Sequence, residues 1–379
     1  MPEATKLGQK LPWKYKSYLL ALFIFLLSCS NYLISKYFQP FIYTPITYVL
    51  RTFSSLFSFA IGEWVYFIIC ILLIISVIKG VYKYKSLIGS LLFWKHLGLR
   101  LLNGAVKMYI IFELFWGLNY QKQSPATDFK MDPPIIYTEA QMDSLSLELI
   151  QQMNLSRAKL SDSVINTFDF KGINEKTQIE YQQIVISYPF LKYRQPSIKK
   201  AQFPILGDFI GYTAFYQPLT GEAIVRDDLP VLTLPFTMCH EIAHQLGYAS
   251  ETEANFIAFV IGTESNNPLF NYSNQLQLFT YAQQAHLNSI AKRGDYQQFE
   301  KVIARNKQLI SPTVLSDRKK IRAFFMRKQD LLIPGSTQLY DQFLQWNRQA
   351  KGIESYNDVL LWALVYKHKK KSLVFTKDL

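Results

Sequence analysis

PFTMCHEIAHQLGYASETEANF, residues 235–256, is the stretch on which the reading of this chain turns. Pro235 followed by Thr237 is a helix start, and Gly247 is a helix stop. Between them His240 and His244 stand four residues apart. On a helix that spacing puts both imidazoles on one face. Ile242 and Ala243 fill the gap with small or apolar groups, as a buried helix requires. Two imidazoles converging on one point suit a zinc ion, which takes histidine nitrogen at about 2.0–2.1 Å. Glu241 neighbours the first imidazole, where a carboxylate can take a proton from water and return it to a leaving amine. The expectation is a zinc site with His240 and His244 as metal ligands and Glu241 as the catalytic base.

A catalytic zinc site needs a third protein ligand. After Gly247 the chain can reverse, and Ser250 is a helix N-cap in SETEANF. The acidic candidates are Glu251 and Glu253. Ser250 and Glu253 also have capping-box spacing, which gives Glu253 a purely structural role. Glu251 and Asn255 share a helix face, so Asn255 can bond and orient a ligand. Simple hairpin geometry favours a residue slightly later than 251. Glu251 is preferred on the strength of Asn255, and Glu253 stands as the alternative.

Upstream, residues 203–235 are punctuated by Gly and Pro. IGYTAFYQP and GEAIVRDD have the β-branched and aromatic content of short strands. Gly221, Glu222, Ala223, Ile224 and Val225 are a candidate strand for holding an extended substrate by backbone pairing. Tyr272 and Tyr281 are candidate donors to an oxyanion, two among 24 tyrosines. Further helices are expected at Thr138–Met153, capped by Thr138, and at Asn174–Ile186, capped by Asn174. LYDQFLQWNRQAKG and SYNDVLLWALVYKHKKK read as closing helices with Gly352 between them.

The N-terminal third is different in kind. Residues 17–35 carry no charge and are long enough to cross a hydrocarbon core of about 30 Å. A signal peptide fits less well, because the apolar run is long and no small-residue cleavage site follows. A second span is expected at 57–78. A third, at 97–117, contains Arg100, Lys107 and Glu113, which need partners inside a membrane. Lysines 6, 10, 14 and 16 precede the first span, and Lys79, Lys83, Lys85 and Lys95 lie between the second and third. The connection between the first two has only Lys36 and Arg51. The positive-inside rule then puts the N-terminus in the cytoplasm and the remainder on the outer face. A proline-bearing linker, 121–137, leads into a domain at 138–379.

The fold class expected is therefore membrane-anchored and mainly α. About three transmembrane helices precede an α+β zincin-like domain with a small sheet. The net charge of +13 does not argue for nucleic acid, because many of the cations flank apolar runs and no basic–aromatic binding motif is present. The expected partners are a lipid bilayer and a peptide or protein substrate. Three cysteines, Cys29, Cys70 and Cys239, form no disulfide framework. Cys239 reads as a small buried residue sooner than a thiolate ligand, since neighbouring helical side chains diverge by about 100°. His286 has no partner at metal spacing, and His96 and His368 accompany basic segments.

HEIAH followed by ETEAN resembles the zinc peptidases in which a Glu-x-x-Ala-Asp or Glu-x-x-Ala-Asn helix follows HExxH, a gluzincin-like pattern. That resemblance makes Glu251 the third ligand, with Ala254 and Asn255 completing the match. More closely, WGLNY at Trp116, TGEA at Thr220, PFTMCHEIAHQLG, SETEANF, YDQFL and SYNDV resemble a bacterial membrane family known as domain of unknown function 3810. The resemblance implies a peptidase-like zinc domain in the bacterial inner membrane and brings no substrate. The function expected is a zinc metallohydrolase, a membrane-anchored peptidase. The alternative is a non-catalytic scaffold braced by a structural metal. An intramembrane protease is disfavoured, because polar groups crowd the motif with no long apolar run around it.

Overall fold

The computed structural model describes residues 13–85, 89–131, 137–329, 331–335, 338, 341–342, 345 and 358–375. Most of the expected helix at LYDQFLQWNRQAKG and the first two lysines of the N-terminal tail lie outside these. The chain divides into two compact units: unit 1 is Met1–Pro45 with Gly62–Gln123, and unit 2 is Ile46–Ile61 with Ser124–Leu379.

In unit 1, α1 runs Trp13–Leu27 and ends earlier than the sequence suggested. The serines are the cause. Ser28 Oγ and Cys29 Sγ both turn back to the Phe25 carbonyl, at 2.8 and 3.4 Å. Ser30 then caps a new helical turn by accepting from the Leu33 N–H. Polar side chains bonding their own backbone compete with continuation of a helix. The expected span at 17–35 is thus not one straight helix: Tyr15–Leu27 and Asn31–Ser55 are related by a 98° bend. A π-helical stretch, Ile34–Tyr43, contains Pro40 and leads into α2, Thr44–Ser55.

Helix α3, Ile61–Lys83, is long and apolar enough to cross a membrane, and the bent pair meets the same length and composition test if it is taken as one span. Its Ile68, Ile71, Leu72 and Ile74 side chains are exposed, the reverse of a soluble core helix. Helix α4, Leu91–Phe115, is capped by Ser90. Arg100, the first charge in the expected 97–117 span, donates to the carbonyl and hydroxyl of Ser76 on α3 at 3.0 and 3.1 Å. Gly80 leaves room for the guanidinium, which a Cβ there would meet at 3.4 Å. Tyr18 ties α1 to α4 through Asn103.

Unit 2 takes in Ile46–Ile61, which the sequence reading divided between a connection and the start of the second span at 57–78. Its other part starts at Ser124, inside the expected linker. Pro125–Asp128 is a helical turn, and Phe129 is buried against Tyr188, Phe190, Phe256 and Tyr366. Helix α5, Glu139–Ala158, opens with a capping box between Thr138 and Gln141. Helix α6, Phe170–Ile184, begins four residues before the expected Asn174, because Asp169 caps it by accepting from Gly172. The absence of a side chain at Gly172 matters there, since a Cβ would lie 3.1 Å from that carboxylate.

Three short strands follow: β1 Ile198–Lys200, β2 Ala214–Gln217 and β3 Glu222–Val225, with α7, Pro204–Ile210, between the first two. Their order is β1-β3-β2, with β1 parallel and β2 antiparallel to β3. Then come α8 Leu234–Gln245, α9 Glu251–Glu264, α10 Pro268–Lys292, α11 Tyr296–Leu309, α12 Pro312–Gln329 and α13 Asp358–Phe375. The described chain is mostly helical with this one small sheet.

Helix α9 is the hub of the core. Phe256 is fully buried, its ring 5.1 Å from Trp362 and 5.3 Å from Phe129. Truncating such a ring loses its transfer energy and leaves a cavity. Phe256→Ala is expected to lower unfolding stability by about 3–5 kcal/mol. Denaturant titration of the detergent-solubilised chain checks this, and a loss under about 1 kcal/mol contradicts the packing described.

Candidate metal centre

Helix α8 owes its place to its ends. Pro235 occupies the first turn, where its missing N–H costs nothing, and the helix stops at Gln245. Gly247 has φ +84°, a left-handed conformation that glycine adopts without strain. The chain reverses there and re-enters as α9 at Glu251. Ser250 occupies the N-cap position without a side-chain cap bond, so the expected capping box with Glu253 is not made by its hydroxyl.

The reversal brings Glu251 against both imidazoles. Its Oε2 lies 3.2 Å from His240 Nε2, and its Oε1 lies 3.7 Å from His244 Nε2. One ligand atom from each of the three residues falls within 4.8 Å of the others. Glu253 is not in this group. The far nitrogen of each ring is occupied: His240 Nδ1 pairs with Asn255 Oδ1 at 2.9 Å, and His244 Nδ1 donates to the Tyr248 carbonyl at 2.7 Å. Those bonds occupy each Nδ1 and turn each Nε2 inward toward Glu251, the ring orientation a metal ligand needs.

Charge in this pocket follows from burial. Burial raises the Glu251 carboxyl, but the hydrogen bonds and charges of His240 and His244 outweigh it and hold the group well below the usual carboxylate range. His244 is pulled down by burial, yet Glu251 beside it, with Glu241 and the Tyr248 carbonyl, lifts it to about 9. Glu241 is raised, first by burial and then by Glu251, against the opposing pull of the two imidazoles. It is 4% exposed, and its Oε2 has no hydrogen-bond partner among the described residues.

The surroundings of α8 are braced. Gln245 Nε2 donates to Ser197 O and Gly221 O at 3.0 and 2.7 Å, and Tyr193 donates to its Oε1. Arg51, 4% exposed, donates from Nη1 to the Gln245 carbonyl at 3.0 Å. A cation at the C-terminal end of a helix is stabilising. Nothing in the sequence around Arg51 announces this role.

The family described as protein of unknown function (DUF3810) matches residues 38–364, most of the chain. The chain belongs to that family. No curated protein and no solved structure matches it.

In this DUF3810 chain several expected site residues lie elsewhere. Gly221 to Val225 do not offer a free strand edge: β3 is central, paired on both sides and buried throughout. Glu222 is a structural group there, accepting from Thr220 and from the Ile61 N–H. The strand next to it, β2, forms one edge of the sheet. Tyr272 is fully buried and donates to Asp317 at 2.9 Å, so it is spent as a structural bond. Tyr281 stays near the centre, its phenol raised by burial and by the Glu251 charge. Cys239 is buried in the core and is not in the ligand group. His286 packs between Glu139 and Asp143, at 3.8 and 3.4 Å, and also lies outside it.

Proposed function

We propose that the DUF3810 chain is a membrane-anchored zinc metallopeptidase with a zincin-like domain. The observation that carries this is the convergence of His240, His244 and Glu251 beside a buried Glu241 with an unbonded oxygen. Two imidazoles and a carboxylate are a three-ligand set of the catalytic type. A closed structural site needs a fourth protein ligand, and the group holds three among the described residues. Bound there, zinc supplies Lewis-acid polarisation of a peptide carbonyl and brings the pKa of water down to about 7. Asn255 and the Tyr248 carbonyl hold the two rings in place. Glu241 takes a proton from the attacking water and passes it to the departing amine. Of the two tyrosines the sequence offered, Tyr281 is the one whose phenol feels the Glu251 charge, and it is the candidate to steady developing charge.

The chain's course supports a hairpin of two spans, α3 and α4. It leaves unit 2 at Ile61 and rejoins it at Ser124. If α3 crosses the bilayer, α4 must cross back, and the bond from Arg100 to Ser76 answers one of the three charges that counted against α4. Lys79, Lys83, Lys85 and Lys95 at the hairpin's turn favour the cytoplasm for that end. Unit 2 is then extracytoplasmic. Labelling of single cysteines introduced at Lys95 and Ile186 by an impermeant maleimide in intact cells tests it, after Cys29 and Cys70 are replaced by serine. Reaction at 186 but not at 95 is expected, and the opposite pattern refutes the orientation.

Metal uptake has a pH signature. The folded pKa of His244 is raised from 6.5 to about 9, so its charged form stabilises the metal-free fold below about 6.5, and that contribution is lost as pH rises through 9. Zinc competes with the same proton. Its affinity is expected to rise about tenfold per pH unit across that window. Competition with a chromophoric chelator measures this, and a pH-independent affinity contradicts it.

A further inference from the structure

Helix α2 is built inside out. The face it turns to the rest of unit 2, from Ile46 onward, is polar: Thr47, Arg51 and Ser54 are buried. Arg51 bonds the end of α8, and Ser54 Oγ lies 2.8 Å from Ser197 Oγ. The opposite face is apolar and open. Tyr48, Val49, Phe53 and Leu56 are exposed, Phe53 at 55% and Leu56 at 76%, and Phe59 continues the patch. A helix on the surface of a water-soluble domain shows the reverse arrangement.

Two aliphatic hydroxyls on the open face are folded back, while the Tyr48 hydroxyl accepts from Gln195 Nε2 at 3.3 Å. Thr52 Oγ1 donates to the Tyr48 carbonyl and Ser55 Oγ to the Thr52 carbonyl, each at 2.8 Å. That bonding suits surroundings poor in water. Just beyond, the Gln202 amide donates to the Ala60 carbonyl at 2.7 Å, and the Ile61 N–H donates to Glu222 at 3.2 Å. Both bonds lie within unit 2, whose first segment ends at Ile61, the first residue of α3, the helix apolar enough to span. The open face therefore ends within a few residues of a candidate membrane entry point. The covering this continuity supplies is lipid.

We propose that α2 lies in the lipid–water boundary with Tyr48, Val49, Phe53, Leu56 and Phe59 in the bilayer, while its polar face holds the end of the metal helix. The centre then works at the membrane surface, on polypeptide segments close to the bilayer. That last clause rests on the peptidase reading, and the lipid contact does not.

The test uses the full chain in nanodiscs of phosphatidylethanolamine and phosphatidylglycerol, with Cys29→Ser and Cys70→Ser. Cys239 is buried. Phe53→Cys and Leu56→Cys, made singly, carry an environment-sensitive fluorophore, and zinc is assayed on the same samples. An interfacial helix sits about 5–10 Å into the boundary. A nitroxide just below the headgroup is therefore expected to quench both labels at least about twofold more than one at the chain end. Quenching by aqueous iodide overturns the proposal, as does strongest quenching from the chain end, or no quenching by any probe, which marks a protein-covered face. Shallow quenching in samples that bind no zinc supports the docking and sinks the metallopeptidase reading, so the two failures are separable.

Discussion

Under the proposed function, Glu241→Gln is expected to bind zinc as tightly as the parent chain and to lose peptide hydrolysis by about a hundredfold to ten-thousandfold. The side chain is buried, its Oε2 has no partner among the described residues, and it is absent from the ligand group. An amide of the same shape leaves the imidazoles and Glu251 in place and removes the one group that carries the proton. Cleavage of a peptide library, read by mass spectrometry beside metal analysis of the same sample, measures both quantities. Undiminished cleavage removes Glu241 from the mechanism. Metal loss in this variant makes it a ligand instead.

His244→Ala is expected to lose the metal altogether. Its Nδ1 donates to the Tyr248 carbonyl and its Nε2 faces Glu251 Oε1 at 3.7 Å. Without it only one imidazole and one carboxylate remain, too few for a stable zinc site. At free zinc about a hundred times the dissociation constant, binding adds about 2.7 kcal/mol to the stability of the fold. The parent chain should therefore melt higher with zinc than without, and His244→Ala should show no such difference. Thermal unfolding followed by circular dichroism, with and without added zinc, reads this directly. A zinc-dependent rise that survives in the variant places the metal elsewhere.

The pair of histidines was legible because helical periodicity turns a spacing into a direction in space. Asn255 was legible for the same reason. The choice between Glu251 and Glu253 was not settled by spacing, because the path from Gln245 to Ser250 depends on one left-handed glycine, Gly247, and on a backbone carbonyl at Tyr248. Backbone partners leave no trace in residue type. The strands at 214–217 and 222–225 carried β-formers and were expected. The third, IKK at 198–200, is too short and too charged to stand out. Its presence turns residues 221–225 from an edge into a centre.

The N-terminal third misled in one place and hid something in another. Residues 17–35 carry no charge, yet Ser28, Cys29 and Ser30 redirect their bonds locally and end the helix. Helix α2 reads as an apolar connection with one arginine. Its meaning appears only when Arg51 is seen bonded to Gln245, a partner 194 residues away in the chain.

X-ray absorption at the zinc edge of the purified chain addresses the central claim most directly. One zinc per chain is expected, with nitrogen and oxygen neighbours at about 2.0–2.1 Å, an imidazole signature and no sulfur shell near 2.3 Å. A chain purified without metal that takes up none when zinc is offered, or a spectrum dominated by sulfur, contradicts it.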